Sequence, residues 1–137
     1  KNVPVQVTFK AVRQDNTMEF DRVFSFKGRR PVHFKSRMLP MANGEVLEIM
    51  RFGFGWRFKC EWRENKVVLS HRGYLWRILG ANIPMPISLI LGKGYAEECP
   101  LSDTEFSMWT YTKHPLFGKM FGYDGSFKVT DMKCGPY

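Results

Sequence analysis

The chain has 137 residues, a length typical of one domain, and its 44% hydrophobic and 25% charged residues exclude a disordered polyelectrolyte, a collagen-like repeat and a membrane-embedded chain. An aromatic content of 15% favours sheet faces and concave pockets over helix bundles. The net charge of +8 is uneven, because the sequence up to Arg77 has 16 Lys and Arg against 7 Asp and Glu, whereas the rest has 5 against 6. A basic half attracts any anionic partner, but we favour a solvated sheet face as its explanation.

Alternating apolar and polar residues predict β-strands along the whole chain. The pattern is clearest where Trp56, Phe58 and Trp62 alternate with charged residues. Turn signals separate the runs; Asn43-Gly44 is the strongest, and Gly125 marks another. We expect strands over 3–12, 18–27, 31–39, 45–53, 55–63, 66–74, 86–92, 104–113 and 119–130, with room for a short helix within 74–80 or 87–92.

Eight or nine short, mainly antiparallel strands predict an all-β fold. A strongly curved sheet or small barrel hides one apolar face with few exposed edges. A β-sandwich is the alternative, and a helix-grip fold ranks third because no long amphipathic helix is present. We expect aromatic side chains to line the concave side: Phe24, Phe26, Phe34, Trp56, Phe58 and Trp62. The prediction is a single domain over 1–137, excised from or appended to a longer chain, since no initiator Met is present.

The three cysteines indicate a reducing compartment. Cys60, Cys99 and Cys134 are odd in number and form no CxxC pair. We therefore expect a cytoplasmic protein, with Cys60 as a small core residue. No transmembrane segment or signal peptide is recognisable.

The histidines do not predict a metal site. His33, His71 and His114 lack the spacing of metal ligands. We expect His33 to be solvated, His71 to point inward as a hydrogen-bonded core residue, and His114 to lie in a turn. The sequence gives no reason to expect a metal or another cofactor.

Signatures of catalysis and of nucleic-acid binding are also missing. The sequence has no GxSxG or SxxK motif. Glu97 and Glu98 are consecutive on an extended strand, so they point to opposite faces and form no carboxylate dyad. Aromatic and basic residues of 55–63 likewise fall on opposite faces, which disfavours specific nucleic-acid binding.

These observations favour a non-catalytic binding or accessory domain that encloses a small apolar or amphipathic ligand. The candidate ligand-binding residues are Trp56, Phe58, Trp62, His71, Glu98 and Tyr123. One alternative is an enzyme or substrate domain with His71, Glu98, Tyr123 and Asp124 at one barrel mouth. Another is nonspecific binding of acidic partners through the basic face.

The order of several short motifs, from Phe20 onward, resembles the family called domain of unknown function 4166. The residues that carry the resemblance are Arg22 and Phe24, Phe34 and Ser36, Glu48 with Phe52-Gly53, Pro84, Pro86 and Glu98, and Pro115, Gly118, Tyr123 and Gly125. The resemblance implies domain boundaries but no mechanism. Domains of this family sometimes follow a nicotinamide-cofactor domain of the saccharopine-dehydrogenase type; this sequence holds no such domain, so no NAD chemistry is implied.

Overall fold

The computed structural model describes residues 3–12 and 14–131, which form ten strands, one four-residue α-helix and two short 3-10 turns. The strands are β1 (Val5–Val12), β2 (Thr17–Phe24), β3 (Val32–Pro40), β4 (Glu45–Ile49), β5 (Phe54–Arg63), β6 (Lys66–Ile78), β7 (Ala81–Met85), β8 (Lys93–Pro100), β9 (Glu105–His114) and β10 (Gly118–Lys128). The helix α1 is Ser88–Leu91.

Antiparallel pairing joins the strands into one hydrogen-bonded sheet. Its order is β1-β2-β3-β4-β5-β6-β8-β9-β10, with β7 pairing β6. The prediction of an all-β, antiparallel fold is confirmed. The single sheet decides against a sandwich, which needs two sheets.

Tight turns with left-handed residues join successive strands. Asn43 and Gly44, between β3 and β4, have φ of 62° and 73°, as the primed hairpin turns require. Glu64 and Asn65 do the same between β5 and β6, with φ of 47° and 62°. The turn expected at Gly125 is wrong, because this glycine lies within β10 opposite Met108.

The strand expected over 86–92 is also wrong. This segment contains α1, and strands β7 and β8 lie on either side of it; the alternative of a helix within 87–92 is confirmed. Pro84 lies inside β7 opposite Leu75. Proline is tolerated there because β7 pairs with β6 alone in the sheet order.

The chain forms two compact units. The first comprises the chain up to Phe58 together with Arg72–Pro86, and the second comprises Lys59–His71 and the chain from Ile87 onward. A single domain over 1–137 stays a prediction. Buried apolar side chains of the first unit are Phe20, Leu47, Phe58, Tyr74 and Leu75; those of the second include Val68 and Ala96.

Close packing in the first unit depends on a glycine. A Cβ on Gly55 would lie 2.8 Å from Leu75 Cδ1 and 3.1 Å from Leu47 Cδ1, so a larger residue would displace both core leucines.

The alternation of apolar and polar residues in β5 continues past Phe58, but the apolar positions beyond it are not buried. Cys60 is exposed and Trp62 is 64% exposed, so Cys60 is not the core residue that the sequence predicted.

Candidate ligand-binding cavity

A cavity of about 340 Å³ lies beside the β6-β7 hairpin of the first unit. Its volume is within the range of small-molecule sites. Most of its wall is apolar and comes from the hairpin and from the residue after β3: Met41, Leu75, Pro84, Met85 and Pro86. Register explains this wall, because Leu75 and Tyr74 of β6 lie opposite Pro84 and Met85 of β7.

Two arginines supply the charge of this cavity. Arg57 of β5 and Arg72 of β6 both line it and share one carboxylate. Arg57 Nε lies 3.3 Å from Glu45 Oε2, and Arg72 Nε lies 4.0 Å from Glu45 Oε1. Arg57 also donates from Nη2 to the Arg72 carbonyl at 3.2 Å. Two guanidinium groups against one carboxylate leave a net charge of one positive unit at the wall.

A glycine of β6 lines the cavity in an unusual backbone conformation. Gly73 has φ of 145°, a conformation that residues with a side chain rarely adopt. The next residue, Tyr74, packs against Phe54 with ring centroids 5.6 Å apart. Burial raises the pKa of the Tyr74 phenol, so the phenol itself stays uncharged at neutral pH.

The six predicted ligand-binding residues are not among those that line this cavity. Trp56 and Phe58 lie together in the first unit, with ring centroids 4.7 Å apart. Phe58 is only 3% exposed and serves as core. Trp62 is 64% exposed in the second unit.

The other three candidates lie on strands of the second unit. His71 is half-buried on β6. Glu98 of β8 lies opposite Val67 of β6 and Met108 of β9. Tyr123 of β10 lies opposite Thr110 of β9, so β9 separates Glu98 from Tyr123. Asp124 follows Tyr123 in β10 and therefore points to the other face. The register thus does not gather all four polar candidates on one face.

Glu97 and Glu98 have opposite surroundings. Glu97 accepts hydrogen bonds from Tyr95 Oη at 2.5 Å and from Lys66 Nζ at 2.9 Å. These two bonds lower the pKa of Glu97, and the bond to the carboxylate raises the pKa of Tyr95 to about 12. Burial raises the pKa of Glu98. The interpretation that these neighbours form no dyad fits the register, which pairs them with Trp109 and Met108 respectively.

A buried polar cluster joins β2, β3 and β4. Ser36 Oγ donates to Glu48 Oε1 at 2.6 Å. Arg22 Nη2 donates to Ser36 Oγ at 3.0 Å and also to Glu48 Oε1. The guanidinium carbon lies 3.9 Å from the Phe20 ring centroid and 4.6 Å from that of Phe34. The side chains of Arg22 and Glu48 are 13% and 6% exposed.

The contacts of this cluster indicate a structural role in the interior of the first unit. Rings cover the guanidinium, and its charge is balanced by a carboxylate that is itself hydrogen-bonded. Glu48 is 5% exposed, so it belongs to the interior and not to the charged surface. The signal that could have found the cluster is the resemblance, whose motifs contain Arg22, Ser36 and Glu48.

Acidic residues interrupt the basic surface. Asp21 Oδ2 lies 3.3 Å from His33 Nδ1 and 3.8 Å from Lys35 Nζ. Glu61 pairs with Lys59 at 2.8 Å and with Arg63 at 2.6 Å. His33 is exposed, as predicted.

The prediction that His114 lies in a turn is wrong, because the turn begins at the next residue. His114 ends β9 and is 4% exposed. Its Nε2 lies 2.5 Å from the Leu89 carbonyl oxygen, and its Nδ1 accepts from the backbone N–H groups of Leu116 and Phe117. These partners select the tautomer with the proton on Nε2. His114 therefore ties α1 to the β9-β10 turn.

Within residues 3–12 and 14–131, no group of three or more His, Cys, Asp and Glu side chains could hold a metal ion. No helix in these ranges has the length and apolar character needed to cross a bilayer.

Comparison with known families adds to this picture. The sequence model of the family described as Domain of unknown function (DUF4166) matches residues 1–127. The chain belongs to this family. No curated protein and no solved structure matches it. The match begins before Phe20, so β1 is part of the DUF4166 domain.

Two parts of the structure contain residues that carry the resemblance to the DUF4166 family. Pro84 and Pro86 line the cavity, and Arg22, Ser36 and Glu48 form the buried cluster. The cavity arginines were not predicted as a site. In the sequence, Arg57 and Arg72 are two basic residues among aromatic ones. The pairing of β5 with β6 places the two arginines side by side.

Proposed function

We propose that this DUF4166 domain is a non-catalytic binding domain for a small amphipathic anion, held in the cavity beside the β6-β7 hairpin. The observation that supports this proposal is an apolar wall combined with two arginines that share one carboxylate. The apolar body of the ligand packs on Leu75 and Met85, and its anionic head pairs with the guanidinium groups of Arg57 and Arg72.

Charge selectivity follows from this arrangement. A carboxylate or sulfonate head neutralises the net positive charge beside Glu45, whereas an ammonium head meets two like charges. An amphiphile with the same alkyl chain and an uncharged head cannot form the ion pairs but keeps the apolar contacts. Affinity should therefore fall from decanoate to decanol to decylammonium.

Isothermal titration calorimetry with these three amphiphiles, below their micelle concentrations, tests the proposal. We expect the double variant Arg57→Gln/Arg72→Gln to bind decanoate and decanol with similar affinity. Arg30→Gln, at the exposed turn after β2, is the matched control and should keep the preference. Absence of decanoate binding, or a preference that survives the double variant, would contradict the proposal.

We also propose that the domain works in a reducing, cytoplasmic setting. The free thiols of Cys60 and Cys99 support this proposal. Binding without catalysis is favoured over an enzyme because Asp124 points away from the face of Glu98 and Tyr123, and the four polar candidates are spread over β6, β8 and β10.

A further inference from the structure

The second unit carries an exposed apolar tip. Leu89 and Ile90 of α1 are 70% and 69% exposed, and Leu116 and Phe117 of the β9-β10 turn are 82% and 75% exposed. We call these four residues the apolar tip. So much exposed aliphatic and aromatic surface in two adjacent segments is uncommon on a protein without a partner there.

The tip is held in place by buried contacts. His114 bonds to the Leu89 carbonyl and to the backbone N–H groups of Leu116 and Phe117, so α1 and the turn are fixed on one side chain. Gly92 lets α1 approach β9: a Cβ there would lie 2.6 Å from the Lys113 carbonyl oxygen, and its φ is 76°. The contacts of His114 and Gly92 therefore hold α1 and the β9-β10 turn in place, and the four apolar side chains point outward from them.

Three lysines adjoin the tip at the same end of the strands. Lys93 of β8 lies directly opposite Lys113 of β9, which lies opposite Lys119 of β10. We call these the lysine row. All three are exposed and share one face of the sheet. Like charges directly opposite one another destabilise a sheet, so the row costs stability unless an anion covers it.

Nearby groups leave the row positively charged. The carboxylate of Glu97, on the same face of β8, is already bonded to Lys66 and Tyr95. Lys119 Nζ lies 5.6 Å from the Trp109 ring centroid and 5.9 Å from that of Tyr111. A contact with an aromatic ring does not neutralise an ammonium charge, and none of the ion pairs among the described residues includes Lys119.

From this combination we infer that the apolar tip and the lysine row dock the domain on an anionic lipid surface. The four apolar side chains enter the boundary between headgroups and acyl chains, and the three ammonium groups contact the negatively charged headgroups. Apolar insertion together with basic attraction is the pair of signals that reversible membrane binding requires. A single-stranded nucleic acid would use the lysines and Trp109 but leave Leu89, Ile90 and Leu116 without a role.

Co-sedimentation of the full chain with vesicles of 70% phosphatidylcholine and 30% phosphatidylserine tests this inference. We expect binding that weakens with salt and is lost on pure phosphatidylcholine. Replacing Lys93, Lys113 and Lys119 with Gln should lower the partition coefficient about fivefold for each lysine and on the order of 100-fold together. The variant Leu116→Ser/Phe117→Ser should lower it more than tenfold.

Controls come from exposed residues of the first unit. Lys27, Arg29 and Arg30 changed to Gln remove three basic residues from the turn after β2, and Leu79→Ser removes a leucine that is 102% exposed; both should bind as the parent does. Thermal melts verify that each variant is folded. Vesicle binding equally reduced by the controls would overturn the inference, as would no binding at low salt.

Two further measurements separate other partners. Titration with single-stranded DNA that responds to the lysine substitutions, without vesicle binding, would assign the row to nucleic acid and refute the membrane role. Self-association that Leu116→Ser/Phe117→Ser abolishes, again without vesicle binding, would assign the tip to a second copy of the chain and refute it as well.

Discussion

Removing the carboxylate of Glu48 should destabilise the protein strongly. Glu48→Ala leaves the guanidinium of Arg22 charged in a site where its side chain is 13% exposed and without its acidic partner. Breaking a buried ion pair in this way costs about 3–5 kcal/mol. The entropy of unfolding for 137 residues is about 0.29 kcal/mol/K, so Tm should fall by roughly 10–17 °C.

The double variant Arg22→Leu/Glu48→Leu tests the physical reason for that loss. It removes both charges and leaves aliphatic side chains beside Phe20 and Phe34, so much of the stability should return. Chemical denaturation monitored by circular dichroism measures both variants, with Glu19→Ala on the exposed side of β2 as the control. A loss below about 1 kcal/mol for Glu48→Ala, or a double variant no more stable than it, would refute the reasoning.

Three other changes have defined outcomes. Because burial raises the pKa of Glu98, the parent should lose stability as pH rises above the ordinary value of 4.5, and Glu98→Gln should remove that loss in melts recorded between pH 4 and 8. Glu97 has a lowered pKa, so its contribution to stability is present above pH 4.5 and lost as pH falls. Glu97→Gln should flatten the acid side of the same curve, and equal effects of the two variants would contradict the opposite pKa shifts of the two carboxyl groups. Gly92→Ala should lower Tm, since its Cβ would press on the backbone of β9; hydrogen exchange at Leu116 should rise with it, and unchanged exchange would argue against the coupling.

The sequence alone determined the class of fold and most of the strands. A residue's side in a strand follows from simple alternation, and paired left-handed residues such as Asn43 and Gly44 need no tertiary contact to form a turn. The opposite faces of Glu97 and Glu98 follow from the same period of two. Alternation does not report depth, however, and so Phe58 is buried while Trp62 in the same strand is exposed.

Tertiary structure decided which distant residues meet. Arg57 and Arg72 face one cavity because β5 pairs with β6, and Arg22 reaches Glu48 across β3. For Arg22 and Glu48, sequence spacing carries no information on the contact, because the register across three strands sets it. The tip was hidden for the same reason. Leu89 of α1 and His114 at the end of β9 are 25 residues apart in the sequence, and the buried imidazole of His114 joins them.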